Sequence, residues 1–273
     1  HSLEKGLSIC DRRFNFGEKK VADLIDLMAC YKQKNFGRIS FAYRESVSVL
    51  RSYIAFRSSH GVDSTSFQKM IEEYGLLDCE AELPAAGFET ISREEVTQCS
   101  YEDWNKLITC RHSVREFNRE PVTKEEIERA AAQALWAPSA CNRQMVKLYY
   151  SQKSSVNAEL SDLVPGNAGF EHEPDKYLVI TADRCAFSEN ESGQWYLNAG
   201  IFISFLQMAF TAESVGSCIF QWVKCGREKR LRKLLDIPDN EVIVALIGVG
   251  HYKDEFRVIR SARKPVWDVV VER

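Results

Sequence analysis

Arg111-His112-Ser113-Val114-Arg115-Glu116-Phe117, followed after a gap by Ala137-Pro138-Ser139-Ala140-Cys141-Asn142-Arg143-Gln144, is the stretch from which fold and chemistry can be read furthest. Its first five residues put two guanidiniums, a hydroxyl and the amides of a turn side by side. Such a donor set suits a phosphate or another anion. Taken alone, those five residues read more readily as a polar loop with solvated arginines, because short motifs recur by chance. Between the two runs, Pro121 and Thr123-Lys-Glu-Glu126 form a helix-opening signal. The helix it opens runs through Ile127, Ala130, Ala131, Ala134 and Leu135, and stops at Ala137-Pro138.

Working outward, Ser100-Tyr-Glu-Asp103 caps a helix reaching about Cys110. Downstream, Met145 to Tyr150 alternates as a strand, Val164 to Pro174 reads as loop, and Lys176 to Thr181 is a second strand. Gln194 to Ser214 is a helix apolar almost all round, from Trp195 to Phe210. Such a helix is expected to be enclosed on every side, in a domain centre or a subunit interface. Cys218 to Val223 reads as a strand, and Glu228 to Leu235 as a short basic helix broken by Ile237-Pro238. Val242 to Gly248 reads as a buried strand and Val266 to Val271 as a final one. Interleaved helices and strands mean α+β or α/β with a central sheet.

The upstream residues have another texture. Lys20 to Tyr31, Ile39 to Phe56 and Ser64 to Tyr74 carry apolar residues at helical spacing, the last ended by Gly75. Leu76 to Ser92, with Pro84 and Gly87, reads as a linker. The domain expectation is therefore a helical region over 1–92 and a second domain over 100–273.

The whole chain has 273 residues and a net charge of −3, which removes the basic field typical of a nucleic-acid binder. Its apolar share of 45% and charged share of 27% are those of a soluble globular protein. The longest apolar stretches, Ala199 to Phe210 and Val242 to Gly250, fall short of the roughly 18 residues of a spanning helix. Nine cysteines with no C-x-x-C fit reduced thiols in a cytoplasmic protein better than a disulfide framework or a structural zinc site. The chain opens at His1 rather than Met, so a native start is expected upstream, and a targeting segment there is left open.

The order of these segments resembles the nitroreductase family of FMN oxidoreductases. The family pattern R-x-S-x-R-x-F, a helix, then A-P-S-x-x-N-x-Q is met by Arg111 to Phe117 and Ala137 to Gln144. Asn198-Ala-Gly200 within the apolar helix looks like the family's central helix, and Val215-Gly-Ser-Cys218 like the turn that closes it. Leu235-Asp-Ile-Pro238, Val242 to Gly250 and Arg263-Lys-Pro265 match its closing order. The resemblance covers about residues 101–271 and rests on several ordered segments. It implies an α+β fold with a central mixed sheet flanked by helices, here with an added helical N-terminal region.

The same resemblance implies roles. Arg111, His112 and Ser113 would hold the FMN phosphate and ribityl chain, with Arg263 closing from the C-terminal end. Arg115 would lie near N1 and O2 of the isoalloxazine, where a cation stabilises the charge of the reduced ring. Pro138, Ser139 and Ala140 would meet the flavin from the second subunit of a homodimer, with Asn142 nearby, and the backbone at Gln221 and Trp222 would face N5. The implied reaction is ping-pong hydride transfer from NADH or NADPH to a small nitroaromatic, quinone or related acceptor. The chemistry is centred on the flavin, so no side-chain catalytic residue and no metal ligand is expected. Two departures bear on substrate rather than cofactor: Asn142-Arg-Gln-Met-Val146 replaces N-x-Q-P-W, and Ser214-Val-Gly216 replaces Gly-Leu-Gly. His1 to Leu7 with Arg12 to Gly17 is similar to the extension of a subgroup associated with polysaccharide biosynthesis, and its simpler reading is packing without chemical duty.

Other residues have a plain reading beside the chemical one. Cys141 is a small apolar filler before it is a redox thiol. Lys224, Arg227, Lys229, Arg230, Arg232 and Lys233 form the solvated face of a helix before they form a site for a phosphorylated ligand. Glu171-His-Glu173 has metal-capable atoms at a spacing that suits a mobile loop. Two alternatives stay open: an FMN-dependent dehydrogenase or oxidase of a biosynthetic intermediate, and a non-catalytic flavin- or partner-binding protein.

Overall fold

A computed structural model describes residues 2–9, 16–37, 40–77, 82–98, 100–223 and 226–273. The chain divides into two compact units, residues 1–98 and 99–273. Among the described residues no helix is long and apolar enough to cross a membrane.

The first unit is helical: α1 Ser2–Ser8, α2 Glu18–Gln33, α3 Phe41–Ser59, α4 Thr65–Tyr74 and the single turn α5 Arg93–Val96. Its core joins Leu3, Val21, Ile25, Val47, Leu50, Tyr53 and Ile71, the apolar stripes of four helices. Leu76 is fully buried there, and Leu83 and Ala86 pack beside it, so the expected linker is partly drawn onto the unit. The helix start expected at Ile39, and the quoted run from Arg12 to Asn15, lie outside the described residues.

The second unit carries α6 Tyr101–Cys110, α7 Lys124–Ala134, β1 Val146–Tyr149, α8 Ser154–Leu163, β2 Lys176–Asp183, α9 Gln194–Ala212, β3 Val215–Gln221, α10 Glu228–Leu235 and β4 Glu241–His251. The strands pair antiparallel in the order β1-β2-β4-β3. Of the mixed character expected of the sheet, the described residues show one parallel bridge, Ser113 to Ser217. One face packs Leu178, Ile180, Ile247 and Val249 against Ile127 and Ala130 of α7 and Phe202, Leu206 and Phe210 of α9. The opposite face packs Tyr177, Val179, Phe220 and Leu246 against Leu160 of α8 and Leu231 of α10. Covered on both sides, β2 is buried almost end to end.

Local signals explain the helix starts. Ser100 caps α6 by accepting from the Asp103 amide, and Thr123 with Glu126 forms the capping box of α7. Three elements add to or change the sequence expectations. Helix α8 is an additional element, and Val156, Leu160 and Leu163 have its spacing. The expected strand over Val266 to Val271 is instead a 3-10 turn at Val266–Asp268, with Val266, Trp267, Val269, Val270 and Val271 exposed. Their β-branched side chains favour a strand, but a strand also needs a neighbour to pair with. Of the two places expected for α9, the domain centre does not enclose it fully: Tyr196, Leu197 and Phe205 are exposed in the single chain, which leaves the subunit interface.

Candidate functional site

Helix α6 ends where Arg111 turns extended, and the chain then runs beside β3 and β4. The Val114 amide donates to the Ser217 carbonyl (3.0 Å), and the Asn118 amide to the His251 carbonyl (2.9 Å). Val114 and Phe117 are fully buried. Their anchoring leaves Arg111, His112, Ser113 and Arg115 half-buried on the open side. The ring of Phe117 fills the space left by the missing side chains of Gly216 and Gly250.

A carboxylate from the loop before β2 holds the far end of this segment. Glu173 accepts from the Phe117 amide (3.1 Å), lies 3.3 Å from Lys253 and 3.6 Å from Arg119. The Phe117 amide foremost, then the two cations, hold this carboxyl below the usual glutamate range. Glu173 therefore has a tethering task, and among the described residues no cluster of three or more metal-capable side chains occurs.

A cavity of about 610 Å³ opens beside the basic segment. Arg111, His112, Ser113 and Arg115 line it from one side, and Ile259, Arg260, Ser261 and Arg263 from the other. Four guanidiniums thus face one space, no carboxylate lines it, and among the described residues none of the four is ion-paired. Arg115 donates to the Ser113 carbonyl (3.2 Å) and lies over the Phe170 ring at 5.8 Å. Arg263 donates to the carbonyl of Ser261, a residue with left-handed backbone (φ 44°). Like charges at this density repel one another unless an anion shares them. Arg260 is not among the residues that the family pattern points to. Its signal was available: Arg257, Arg260 and Arg263 recur at every third position in a stretch free of acidic residues.

The remaining expected site residues lie elsewhere. Pro138, Ser139, Ala140 and Asn142 do not line the arginine cavity. They belong to a strained loop in which Cys141, Asn142 and Gln144 all have positive φ (52°, 52° and 48°). Asn198 of α9 fixes it by accepting from the Ala140 amide (2.6 Å), and the Ser139 hydroxyl accepts from Gln144 (3.2 Å). Arg143 pairs with Glu191 at 2.8 Å. The Ser188 backbone first, and then Arg143, lower that carboxyl to about 2. Cys141 is an exposed free thiol, while burial pushes the Cys218 thiol up.

Gln221 closes β3, exposed, on the same side of the strand as Ile219. At ~3.3 Å per residue, the four steps from Ser217 carry Gln221 about 13 Å from the point where the basic segment touches the sheet. Trp222 turns the other way and packs with the α8 and α10 side of the core. Neither residue lines the arginine cavity. The site is thus a basic cavity with an exposed strand running away from it, and a strained loop set apart.

Comparison with known proteins gives the family and the fold. The model of the nitroreductase family matches residues 108–182 and 178–251. An Archaeoglobus fulgidus protein provisionally named NADH dehydrogenase/NAD(P)H nitroreductase is 25% identical over 155 residues, covering 56% of this chain and 88% of its own. The Bacillus subtilis FMN reductase [NAD(P)H] is 24% identical over 176 residues, covering 59% of this chain and 68% of its own. Among solved structures, an FMN-dependent nitroreductase from Clostridium difficile superposes with a TM-score of 0.52 at 20% identity, covering 61% of this chain and 98% of the other.

Proposed function

The chain belongs to the nitroreductase family, and from that premise we propose that it is an FMN-dependent NAD(P)H oxidoreductase, its flavin domain spanning residues 100–273 and its helical extension residues 1–92. The observation that carries this reading is the convergence of Arg111, Arg115, Arg260 and Arg263 on one cavity free of carboxylates. The donor set fits the group. A phosphate monoester is a dianion, and guanidinium forks with a hydroxyl and turn amides are its natural partners.

Arg111, Arg260 and Arg263 would hold the phosphate, with His112 and Ser113 beside the ribityl chain. Arg115 would sit nearest the ring system, where its charge favours the reduced form. When bound, FMN supplies hydride acceptance from NADH or NADPH and its delivery to a small acceptor in a second half-reaction. The protein's own residues orient the ring and keep it charge-stabilised. The exposed Ile219 offers an apolar rest for the ring, with Gln221 exposed two residues further along the same side of the strand.

A homodimer completes the proposal. Leu197 and Phe205 of α9, Tyr101 and Trp104 of α6, and Val266, Trp267, Val269, Val270 and Val271 are large apolar side chains left exposed, as a subunit contact would need. Pro138, Ser139, Ala140 and Asn142, apart from the cavity in one chain, would then reach the flavin of the partner. The five described free cysteines fit a reducing, cytoplasmic compartment.

Absorbance of the purified protein tests the cofactor, and anaerobic mixing with NADH and NADPH tests the donor. The reading requires flavin bands that bleach rapidly with one of the two. A colourless protein that takes up no FMN overturns it. Bands that do not bleach move the assignment to a dehydrogenase or oxidase.

A further inference from the structure

We propose that Phe170 is a positioning residue that sets the reduction potential of the bound flavin, by holding the Arg115 guanidinium at the wall of the arginine cavity. The inference rests on the FMN reading and goes beyond it, since Phe170 does not itself line that cavity. The Arg115 guanidinium lies over the Phe170 ring, 5.8 Å from its centroid. Its hydrogen bond goes to the Ser113 carbonyl at 3.2 Å, and among the described residues it has no ion pair. One carbonyl on its own segment and one ring from another segment are what fix this long, flexible side chain.

The ring is itself firmly seated. It stacks on Phe220 of β3 (centroids 5.8 Å apart, planes at 24°), and Phe220 in turn lies 6.0 Å from the buried ring of Tyr177 in β2. The loop that carries Phe170 is tied down on both sides of it. The Phe170 amide donates to the Asn167 carbonyl (3.0 Å), and the buried Asn167 amide group donates to the Ser161 carbonyl of α8 (2.8 Å). Beyond the ring, the Glu171 carbonyl accepts from the Ser161 hydroxyl (2.7 Å) and the Tyr177 phenol (2.9 Å).

A ring suits this task better than a carboxylate. A carboxylate would hold Arg115 as well, but it would cancel the positive charge that a reduced, anionic flavin draws on. An aromatic face attracts the cation and leaves its net charge intact. In a cavity with four guanidiniums and no lining carboxylate, the partner chosen for Arg115 keeps that character.

The test is the two-electron midpoint potential of the FMN-loaded protein, titrated at equilibrium against a reference dye, with flavin content and circular dichroism as controls. Phe170→Leu keeps an apolar side chain and removes the ring face. The proposal expects the reduced flavin to be held about fivefold less tightly relative to the oxidised one, a fall of about 20 mV at roughly 30 mV per tenfold. A fluorinated phenylalanine at position 170 keeps the packing but weakens the ring's attraction for a cation, so the potential should fall there too. Phe170→Tyr keeps the ring face and should hold the parent potential. Arg115→Gln should lower the potential by itself, and Phe170→Leu added to it should lower it no further. A parent potential in both the leucine and the fluorinated variant overturns the proposal. So does an equal fall with and without Arg115, which would mean that Phe170 acts by another route. A parent protein that takes up no FMN overturns the flavin reading and this one together, whereas a yellow parent whose potential ignores Phe170 overturns this one alone.

Discussion

The ring of Phe117 rests on the bare Cα of Gly250: a Cβ built there would lie 2.7 Å from the ring's Cγ and Cδ1. The same ring touches the space above Gly216, where a Cβ would lie 3.0 Å from Cε1. Two glycines on adjacent strands thus form the socket that anchors the basic segment. Gly250→Ala is expected to force the ring out, costing about 1–3 kcal/mol. Because Arg111 and Arg115 ride on that segment, flavin retention should fall with it. Chemical denaturation alongside the flavin-to-protein absorbance ratio measures both, and unchanged values for each would show that the socket positions nothing.

Removing a guanidinium that meets the phosphate should be costly. Arg111→Ala and Arg263→Ala are each expected to weaken FMN binding by about ten- to a hundredfold. The double variant should purify folded but colourless. Full flavin content in the double variant, with a native circular dichroism spectrum, rules the phosphate assignment out.

Glu173 makes part of the stability acid-sensitive. Its carboxyl titrates below the usual value in the folded chain, so the stabilisation is present above the ordinary glutamate pKa of 4.5 and is lost as pH falls through the folded value. Glu173→Gln should therefore lower the melting temperature near neutral pH. The gap to the parent should close in acid, well below pH 4.5. A gap that stays constant from neutral to acid would mean the ionised carboxylate is not the source.

The left-handed Cys141 gives a conformational test. Cys141→Gly relieves a non-glycine positive φ, whereas Cys141→Val places a β-branched residue there and should destabilise by about 1–3 kcal/mol. Thermal unfolding of the pair measures this. Equal melting temperatures would show that the loop has no such strain.

Assembly can be tested at α9. Leu197→Arg places a charge on an exposed apolar position of that helix and should leave the fold intact while producing monomer in sedimentation. Truncation after Pro265 removes the exposed Val266 to Val271 and should weaken the dimer in the same assay. A native-like oligomer in both variants would locate the interface elsewhere.

Much of this was legible before any tertiary structure. Capping at Ser100 and Thr123, and the helical spacing of α2 to α4, α7 and α10, follow from contacts between near neighbours in sequence. The run from Arg111 to Phe117 also showed where guanidiniums cluster, because residue type alone supplies them, although by itself it read more readily as a polar loop. Which cations would share one cavity was not legible. Arg260 meets Arg111 only because β3 and β4 bring the C-terminal segment alongside α6, and pairing across that distance leaves no mark in local spacing.

The end of the chain marks the same boundary from the other side. Val266 to Val271 has the composition of a strand, yet forms none among the described residues, because a strand exists only with a neighbour to accept its hydrogen bonds. The apolar circumference of α9 likewise set the expectation of a covered helix, while packing against the sheet decided which side the chain itself covers, leaving Leu197 and Phe205 outward. Sequence determined which segments are helical and which residues carry charge, since both are properties of neighbouring residues. Three-dimensional packing decided which of them meet, since burial and charge density depend on parts of the chain that local pattern does not connect.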